Sequence, residues 1–390
     1  MRADGRSASP LAAPDTFQWM LPPHLYIHVP FCARRCSYCD FAIAVRRVVP
    51  TDEFVRLVAS EIDLRFGSST QTLETLYLGG GTPSRLGPSG IQGLVDLVRA
   101  RATIAQDAEV TIEANPDDVT KQAAKEWRAA GVNRVSLGVQ SFDDRVLQWM
   151  HRVHDSGSIG RAFSDLRSAG FEDISIDLIF ALPESLGRNW REDLERGLAL
   201  KPEHVSLYGL TVEPQAPLGR WVSRGEVTEA SEDSYAREFL EADRMLTGAG
   251  FEHYEVSNFA KPGHRARHNF CYWQGVAYAG VGPGAHEFDG STRRWNVRAY
   301  EEWAKRLRAG IDPMEGWEGL TADNFTAEKV YLGLRTVDGL AVNSAEAAHV
   351  SSWIEAGWAQ LPAPNHLVLT PEGWLRLDSL AADLTLFRSH

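Results

Sequence analysis

The sequence predicts an α/β protein, a partial six-unit (β/α) barrel of the TIM-like type followed by a small winged-helix-like carboxyl-terminal domain. Three observations lead there. Short β-branched or aliphatic runs alternate with stretches of helical spacing along the first half of the chain, the mark of parallel strands joined by helical crossovers. The runs are closed at one end by polar residues, strand after strand. At 390 residues the chain exceeds one ordinary domain, and the alternation stops near residue 300.

The first run, LYIHV (25–29), is followed by EFVRLVASEIDLRF (53–66), whose apolar residues recur at helical spacing. TLYLGG (75–80) leads to IQGLVDLVRARA (91–102), EVTIEAN (109–115) to TKQAAKEWRAAG (120–131), and RVSLGVQS (134–141) to IGRAFSDLRSAG (159–170). DISIDLIF (173–180) precedes NWREDLERGLAL (189–200), and HVSLYGLT (204–211) is the sixth run. Right-handed crossovers curl such units into a partial barrel and gather the loops at the strands' carboxyl ends on one rim, where chemistry is expected. That rim carries Gly79, Gly80, Gly81 and Thr82, then Glu113 and Asn115, Gln140 and Ser141, Asp177, and Tyr208 and Thr211. Each alone has an ordinary reading as a turn, cap or salt bridge. Five such interruptions on five successive strands point to one shared cavity.

Residues 1–23 read as a flexible tail, 24–250 as the barrel, 251–305 as a segment that closes it, and 306–390 as the carboxyl-terminal domain. In the last, TAEKVYLGLRTV (326–337, capped near Asn324) and SAEAAHVSSWIEAG (344–357) read as helices, and HLVLTPEGWLRLD (366–378) as a hairpin turning at Pro371 to Gly373.

Composition narrows the function. MRADGRSASPLAAPDT lacks the apolar core of a secretory signal, and no window reaches the eighteen or so apolar residues that span a bilayer, so a cytoplasmic protein is expected. A net charge of -12 argues against a nucleic-acid partner gripped through phosphates. From Ile311 onward acidic residues outnumber basic ones, so the last domain is expected to pack or to meet a protein.

Three of the four cysteines, Cys32, Cys36 and Cys39, crowd into FCARRCSYCDF (31–41). Such clustering indicates a thiolate metal site rather than a disulfide framework. One short loop with this spacing can reach three corners of an iron-sulfur cube and leave the fourth iron open. Zinc is the alternative, with His28 or Asp40 as fourth ligand. Arg34 and Arg35 are read either as offsetting the cluster's negative charge or as solvated. Phe31, Tyr38 and Phe41 are expected as an apolar shell around the site.

The stretch YIHVPFCARRCSYCDF resembles the radical S-adenosylmethionine superfamily, in which a CxxxCxxC loop holds a 4Fe-4S cluster whose unique iron is chelated by S-adenosylmethionine. GGGTPS (79–84), IEANPD (112–117), GVQSF (138–142), HRVH (151–154) and IDLIFALP (176–183) resemble the branch that contains oxygen-independent coproporphyrinogen III oxidases and the HemW-type heme chaperones. The resemblance implies that Cys32, Cys36 and Cys39 hold the cluster, and that Tyr26, Gly80, Gly81, Thr82, Glu113 and Arg152 contact S-adenosylmethionine. Gln140, Asp177 and Thr211 match positions lining the cofactor cavity of the oxidase.

Two features separate the siblings. Where the oxidase has a further cysteine two positions after the third cluster cysteine, this chain has Phe41, as the chaperones do. RHNFCYWQG carries His268, Asn269, Tyr272 and Trp273 in an HNxxYW pattern that resembles the chaperones' heme motif, which implies His268 as an axial ligand beside two aromatic faces. Cys271 reads as a second soft ligand or as a small buried residue. YAGVGPGAHEF (278–288) reads equally as a loop over the adenosine or as an ordinary turn region. The reading is therefore a heme chaperone that carries a 4Fe-4S cluster with S-adenosylmethionine and hands heme to apo-hemoproteins, with membrane-bound recipients, peripheral membrane association and a homodimer left open. Radical oxidative decarboxylation of propionate side chains is the alternative, and a structural or redox-gating cluster the third.

Overall fold

The computed structural model describes residues 20–67 and 71–389. Most of the expected tail, residues 1–23, lies outside the described residues. All six expected strands form: β1 (His24–Val29), β2 (Thr72–Gly80), β3 (Thr103–Ala114), β4 (Arg134–Gln140), β5 (Asp173–Phe180) and β6 (His204–Gly209), paired in parallel in that order. Every residue of β4 is buried, as a strand covered on both faces requires.

The crossovers are α1 (Thr51–Phe66), α2 (Gly87–Arg99), α3 (Lys121–Ala130), α4 (Ser156–Ser168) and α5 (Trp190–Ala199). Their ends follow local chemistry. Thr120 caps α3 by accepting from Ala123 N, and α3 ends at Gly131 in the left-handed conformation. Asp155 and Ser158 form a capping box at the start of α4.

The sheet is wider than the six-fold rhythm suggests. After α6 (Glu232–Gly248), three short strands, β7 (Glu252–Glu255), β8 (Asn258–Ala260) and β9 (Ala279–Val281), extend it to the order β9-β1-β2-β3-β4-β5-β6-β8-β7. β9 lies parallel to β1, with Tyr26 opposite Gly280, whereas β8 runs antiparallel to β6. The outer edge at β7 is covered: Val256 N donates to Arg335 O at 3.0 Å and Val337 N to Tyr254 O at 3.1 Å, so the last domain shields a strand that would otherwise be open.

That domain departs from expectation in two places. Residues 344–357 form two short helices, Ser344–His349 and Ser351–Glu355, instead of one. The hairpin pairs Ala359–Ala363 with His366–Leu369, so its turn lies before His366. Pro371–Trp374 is a helical turn, capped by Thr370 with proline in its first position. No helix among the described residues is long and apolar enough to cross a membrane.

Candidate functional site

Phe31–Cys32 pairs in parallel with Ala44–Val45, which closes the cysteine loop at its base. Its middle is pinned by Ser37, whose N–H donates to Met150 O at 3.1 Å and whose carbonyl accepts from Leu218 N at 2.8 Å. Cys32 is buried, Cys36 and Cys39 partly so. The apolar shell is only in part as expected. Phe31 is fully buried against Phe54 and Tyr300, and Tyr38 packs on the cluster of Val146, Met150, Ile179 and Leu182. Phe41 is 66% exposed and sits at the mouth, because the loop turns outward after Cys39.

The loop opens on a cavity of about 940 Å³, lined by Cys32, Cys36 and Cys39 together with Tyr26, Gly80, Gly81, Thr82, Glu113, Gln140, Arg152, Asp177 and Thr211. Strand polarity explains the convergence, since most of these residues stand at or beyond the carboxyl end of a parallel strand, and Tyr26 and Asp177 join them from within β1 and β5. At the glycine turn space is tight: a Cβ on Gly80, whose φ is +114°, would lie 2.6 Å from the His28 ring, and one on Gly81 would lie 2.7 Å from the Pro30 carbonyl. Glu113 closes the turn, accepting from Gly80 N at 2.9 Å and from Tyr77 Oη at 2.8 Å. Burial pushes its carboxyl up to about 7, and that of Asp177, which accepts from Ser136 Oγ at 2.9 Å, up to about 6.

Arg152 reaches across to the cysteines. Its Nη2 donates to Asn115 Oδ1 at 2.5 Å and Gly138 O at 3.0 Å, and Nη1 lies 3.6 Å from Cys36 Sγ. Burial works against its charge, but Tyr38 and Cys36 beside it keep it protonated. Its buried Nε has no partner among the described residues. Thr82 Oγ1 lies 3.4 Å from Cys32 Sγ. Three thiols with a fixed cation and hydroxyl beside them, a side-chain-free turn and an unpaired guanidinium N–H fit an anionic cluster and a chelating amino acid.

Zinc fits less well. Both nitrogens of His28 are engaged, Nδ1 with Tyr26 Oη at 3.0 Å and Nε2 with Ala42 O at 2.8 Å. Among the described residues no three His, Cys, Asp or Glu side chains converge on one ion. A cubane presents separate corners, so its thiolates need not meet at a point.

The HNxxYW residues divide. They lie on α7 (Arg267–Trp273), where Tyr272 and Trp273 line the cavity and His268 and Asn269 do not. His268 is buried behind the wall with Nε2 bonded to Tyr272 Oη at 2.8 Å and Nδ1 to Thr75 Oγ1 at 2.7 Å. Burial pushes its imidazole down to about 3. Both ring nitrogens of His268, the residue expected as a heme ligand, are thus engaged by protein partners. The indole of Trp273 lies under the Arg335 guanidinium, 4.3 Å away. Cys271 is buried, as its second reading had it.

The end of β9 and the turn after it are held by a buried network: Arg65 pairs with Glu61 at 2.8 Å and with Glu287 and donates to Gly280 O, while Glu61 accepts from Gly282 N and Trp303 Nε1. Periodicity missed these partners, and it missed Asn115 as the residue that orients Arg152.

A partial parallel barrel with three cysteines at its carboxyl rim, opening on a cavity of strand-end polar groups, is the arrangement of a radical S-adenosylmethionine protein, and the Radical SAM superfamily model matches residues 26–196. Heme chaperone HemW of Mycobacterium tuberculosis is 37% identical over 370 residues, 93% of this chain and 95% of that protein. The protein of the same name from Bacillus subtilis is 33% identical over 317 residues, 81% and 84% of the two chains. The solved structure of the coproporphyrinogen III oxidase HemN from Escherichia coli superposes with a TM-score of 0.78 over 95% of this chain and 92% of that one at 21% identity, which establishes the fold. The chain belongs to the HemN/HemW-type family of radical S-adenosylmethionine proteins.

Proposed function

We propose that this protein is a heme chaperone that carries a 4Fe-4S cluster with S-adenosylmethionine, takes up heme at the cavity wall formed by Tyr272 and Trp273, and passes it to apo-hemoproteins, at the membrane among other places. The observation that carries the reading is identity of 37% to a protein named as a heme chaperone over nearly the whole of both chains. Phe41, in place of the oxidase's further cysteine, supports it.

In this reading Cys32, Cys36 and Cys39 hold the cluster. When bound, it supplies one-electron chemistry and an iron open to a chelating amino acid. Gly80 and Gly81 leave room for backbone contact with the methionine moiety, and Glu113 accepts hydrogen bonds from its polar groups. The Arg152 guanidinium, oriented by Asn115 and Gly138, balances negative charge next to Cys36. Residues 24–250 form the barrel that holds these groups, 251–305 close it and supply the heme wall, and 306–390 form the domain that meets a recipient.

Gln140, Asp177 and Thr211 line the same cavity, and they favour propionate decarboxylation as the second reading. Anaerobic reconstitution followed by heme titration and a coproporphyrinogen III assay on one sample separates the two. Stoichiometric heme uptake with unconsumed coproporphyrinogen is expected. Formation of the decarboxylated porphyrinogen would replace the first reading by the second.

A further inference from the structure

The glycine-rich turn 282–285 brings two basic side chains to the mouth of the cavity. His286–Phe288 pairs antiparallel with Thr292–Asn296, His286 lying opposite Trp295, and the ladder continues through Asn296 N to Ala285 O and Gly284 N to Val297 O, both at 2.9 Å. Arg298 follows directly. Gly284, with φ at +73°, permits a close approach: a Cβ there would lie 2.6 Å from Ala42 Cβ, and Arg298 Cγ is 3.7 Å from the same point. The hairpin therefore leans on the cysteine loop, and His286 and Arg298 both line the cavity. Tyr278 pairs with Phe288 across the same hairpin, and its ring meets that of Tyr272 at 4.6 Å, so one hairpin joins the aromatic wall to the basic pair.

Neither basic side chain is used up by the protein. The His286 ring stacks on Trp295 at 5.9 Å, but neither of its nitrogens has a hydrogen bond among the described residues. Arg298 donates from Nη2 to Asp40 O at 2.5 Å and stands 3.6 Å from the Asp40 carboxylate, which leaves most of its five N–H donors open on a side chain that is 60% exposed. Deeper in the cavity the donors are spent: Arg152 on Asn115 and Gly138, and His28 on Tyr26 and Ala42. The inner end carries the buried carboxyls of Glu113 and Asp177, and the rim beyond β6 carries Glu213. An anionic edge is thus disfavoured inward and toward β6, and favoured on the side of β9.

We propose that His286 and Arg298 are the specificity-determining pair for the carboxylates of the carried ligand: they take the propionate edge of a macrocycle at the mouth, so that its carboxylate-free edge enters first. The assignment rests on the heme-carrier reading above and adds the orientation and selectivity of that site. A propionate meets a guanidinium through two parallel N–H donors and an imidazole through one, with no change in the charge of either residue.

The test is titration of the anaerobically reconstituted full chain with ferric protoporphyrin IX and with its dimethyl ester, which keeps iron and macrocycle and lacks the charges. Both are followed by Soret absorption and tryptophan quenching. Wild type should bind the acid about tenfold more tightly than the ester, or better, a comparison that needs no variant. Arg298→Gln and His286→Gln should each lose about fivefold to tenfold for the acid and leave the ester unchanged, and the unchanged ester affinity shows that the variant has folded. Arg298→Lys, which keeps the charge and gives up the fork, should fall between. Equal affinity of wild type for acid and ester, or an equal loss of both in Arg298→Gln, overturns the pair and leaves the carrier reading standing. So does transfer of the whole effect to Arg34→Gln, the exposed arginine that lines the rim from within the cysteine loop. Uptake of neither ligand by wild type overturns the carrier reading and the pair together.

Discussion

Glu113 Oε2 accepts a hydrogen bond from the backbone N–H of Gly80 at 2.9 Å, tying the end of one barrel strand to the glycine turn that ends its neighbour. Burial raises the carboxyl most and the nearby Asp177 raises it further, while burial raises Asp177 as well. An unfolded glutamate titrates at its usual 4.5 and folded Glu113 near 7, so the folded chain binds more protons between those values. The contribution to stability is complete below pH 4.5 and is lost as the pH rises through 7; for Asp177 the window runs from 3.8 to about 6. Ligand-free protein should therefore lose stability from pH 5 to 8. Glu113→Gln should regain about 1–2 kcal/mol at pH 8 and flatten the slope in urea denaturation. The same variant should bind S-adenosylmethionine about tenfold more weakly, as loss of a charged acceptor entails.

Gly81→Ala should be costly. The added methyl would lie 2.7 Å from the Pro30 carbonyl, and backbone cannot move aside as a flexible side chain can. A loss of about 1–3 kcal/mol in thermal unfolding is expected, together with loss of S-adenosylmethionine binding by calorimetry. Gly93→Ala is the control, since its Cβ would make ordinary contact with Val55 at 3.4 Å.

Iron and sulfide should depend on three cysteines and not on the fourth. Cys32→Ser, Cys36→Ser or Cys39→Ser should each reduce anaerobically reconstituted iron and sulfide to near background, whereas Cys271→Ser should retain the wild-type content. Iron retained by any of the first three would remove the loop from its assigned role.

Arg65 is the only cation placed between Glu61 and Glu287 among the described residues, and its removal leaves buried carboxylates facing one another. Arg294, 2.9 Å from Glu287, compensates for one of them only. Arg65→Met should cost about 3–5 kcal/mol in chemical denaturation. Amide exchange should quicken at Gly280 and Gly282, whose backbone groups the network holds.

Much of the site is legible because parallel strands give it a polarity. Once LYIHV, TLYLGG, EVTIEAN, RVSLGVQS, DISIDLIF and HVSLYGLT are taken as strands, their polar carboxyl ends share a rim, and Glu113, Gln140, Asp177 and Thr211 fall together from chain order alone. Cysteine spacing likewise is local. Less legible are β7, β8 and β9, at three or four residues each too short to display alternation. The carboxyl-terminal hairpin was displaced because a Thr-Pro pair serves turns and helix starts alike. Here the helical start prevails, since Gly373 lies so close to the Trp358 carbonyl that no side chain would fit.

His268 marks the boundary. Its motif is visible as six consecutive letters, yet the direction of its ring depends on Thr75 and His24, which are brought to it by the pairing of β1 with β2. The amino-acid sequence by itself determined the alternation, the cysteine loop and the polar strand ends, because periodicity and spacing act over a few residues. Only the tertiary structure decided which residues of the HNxxYW segment meet the cavity, because burial and hydrogen bonding between distant elements orient a side chain where local preference leaves it free.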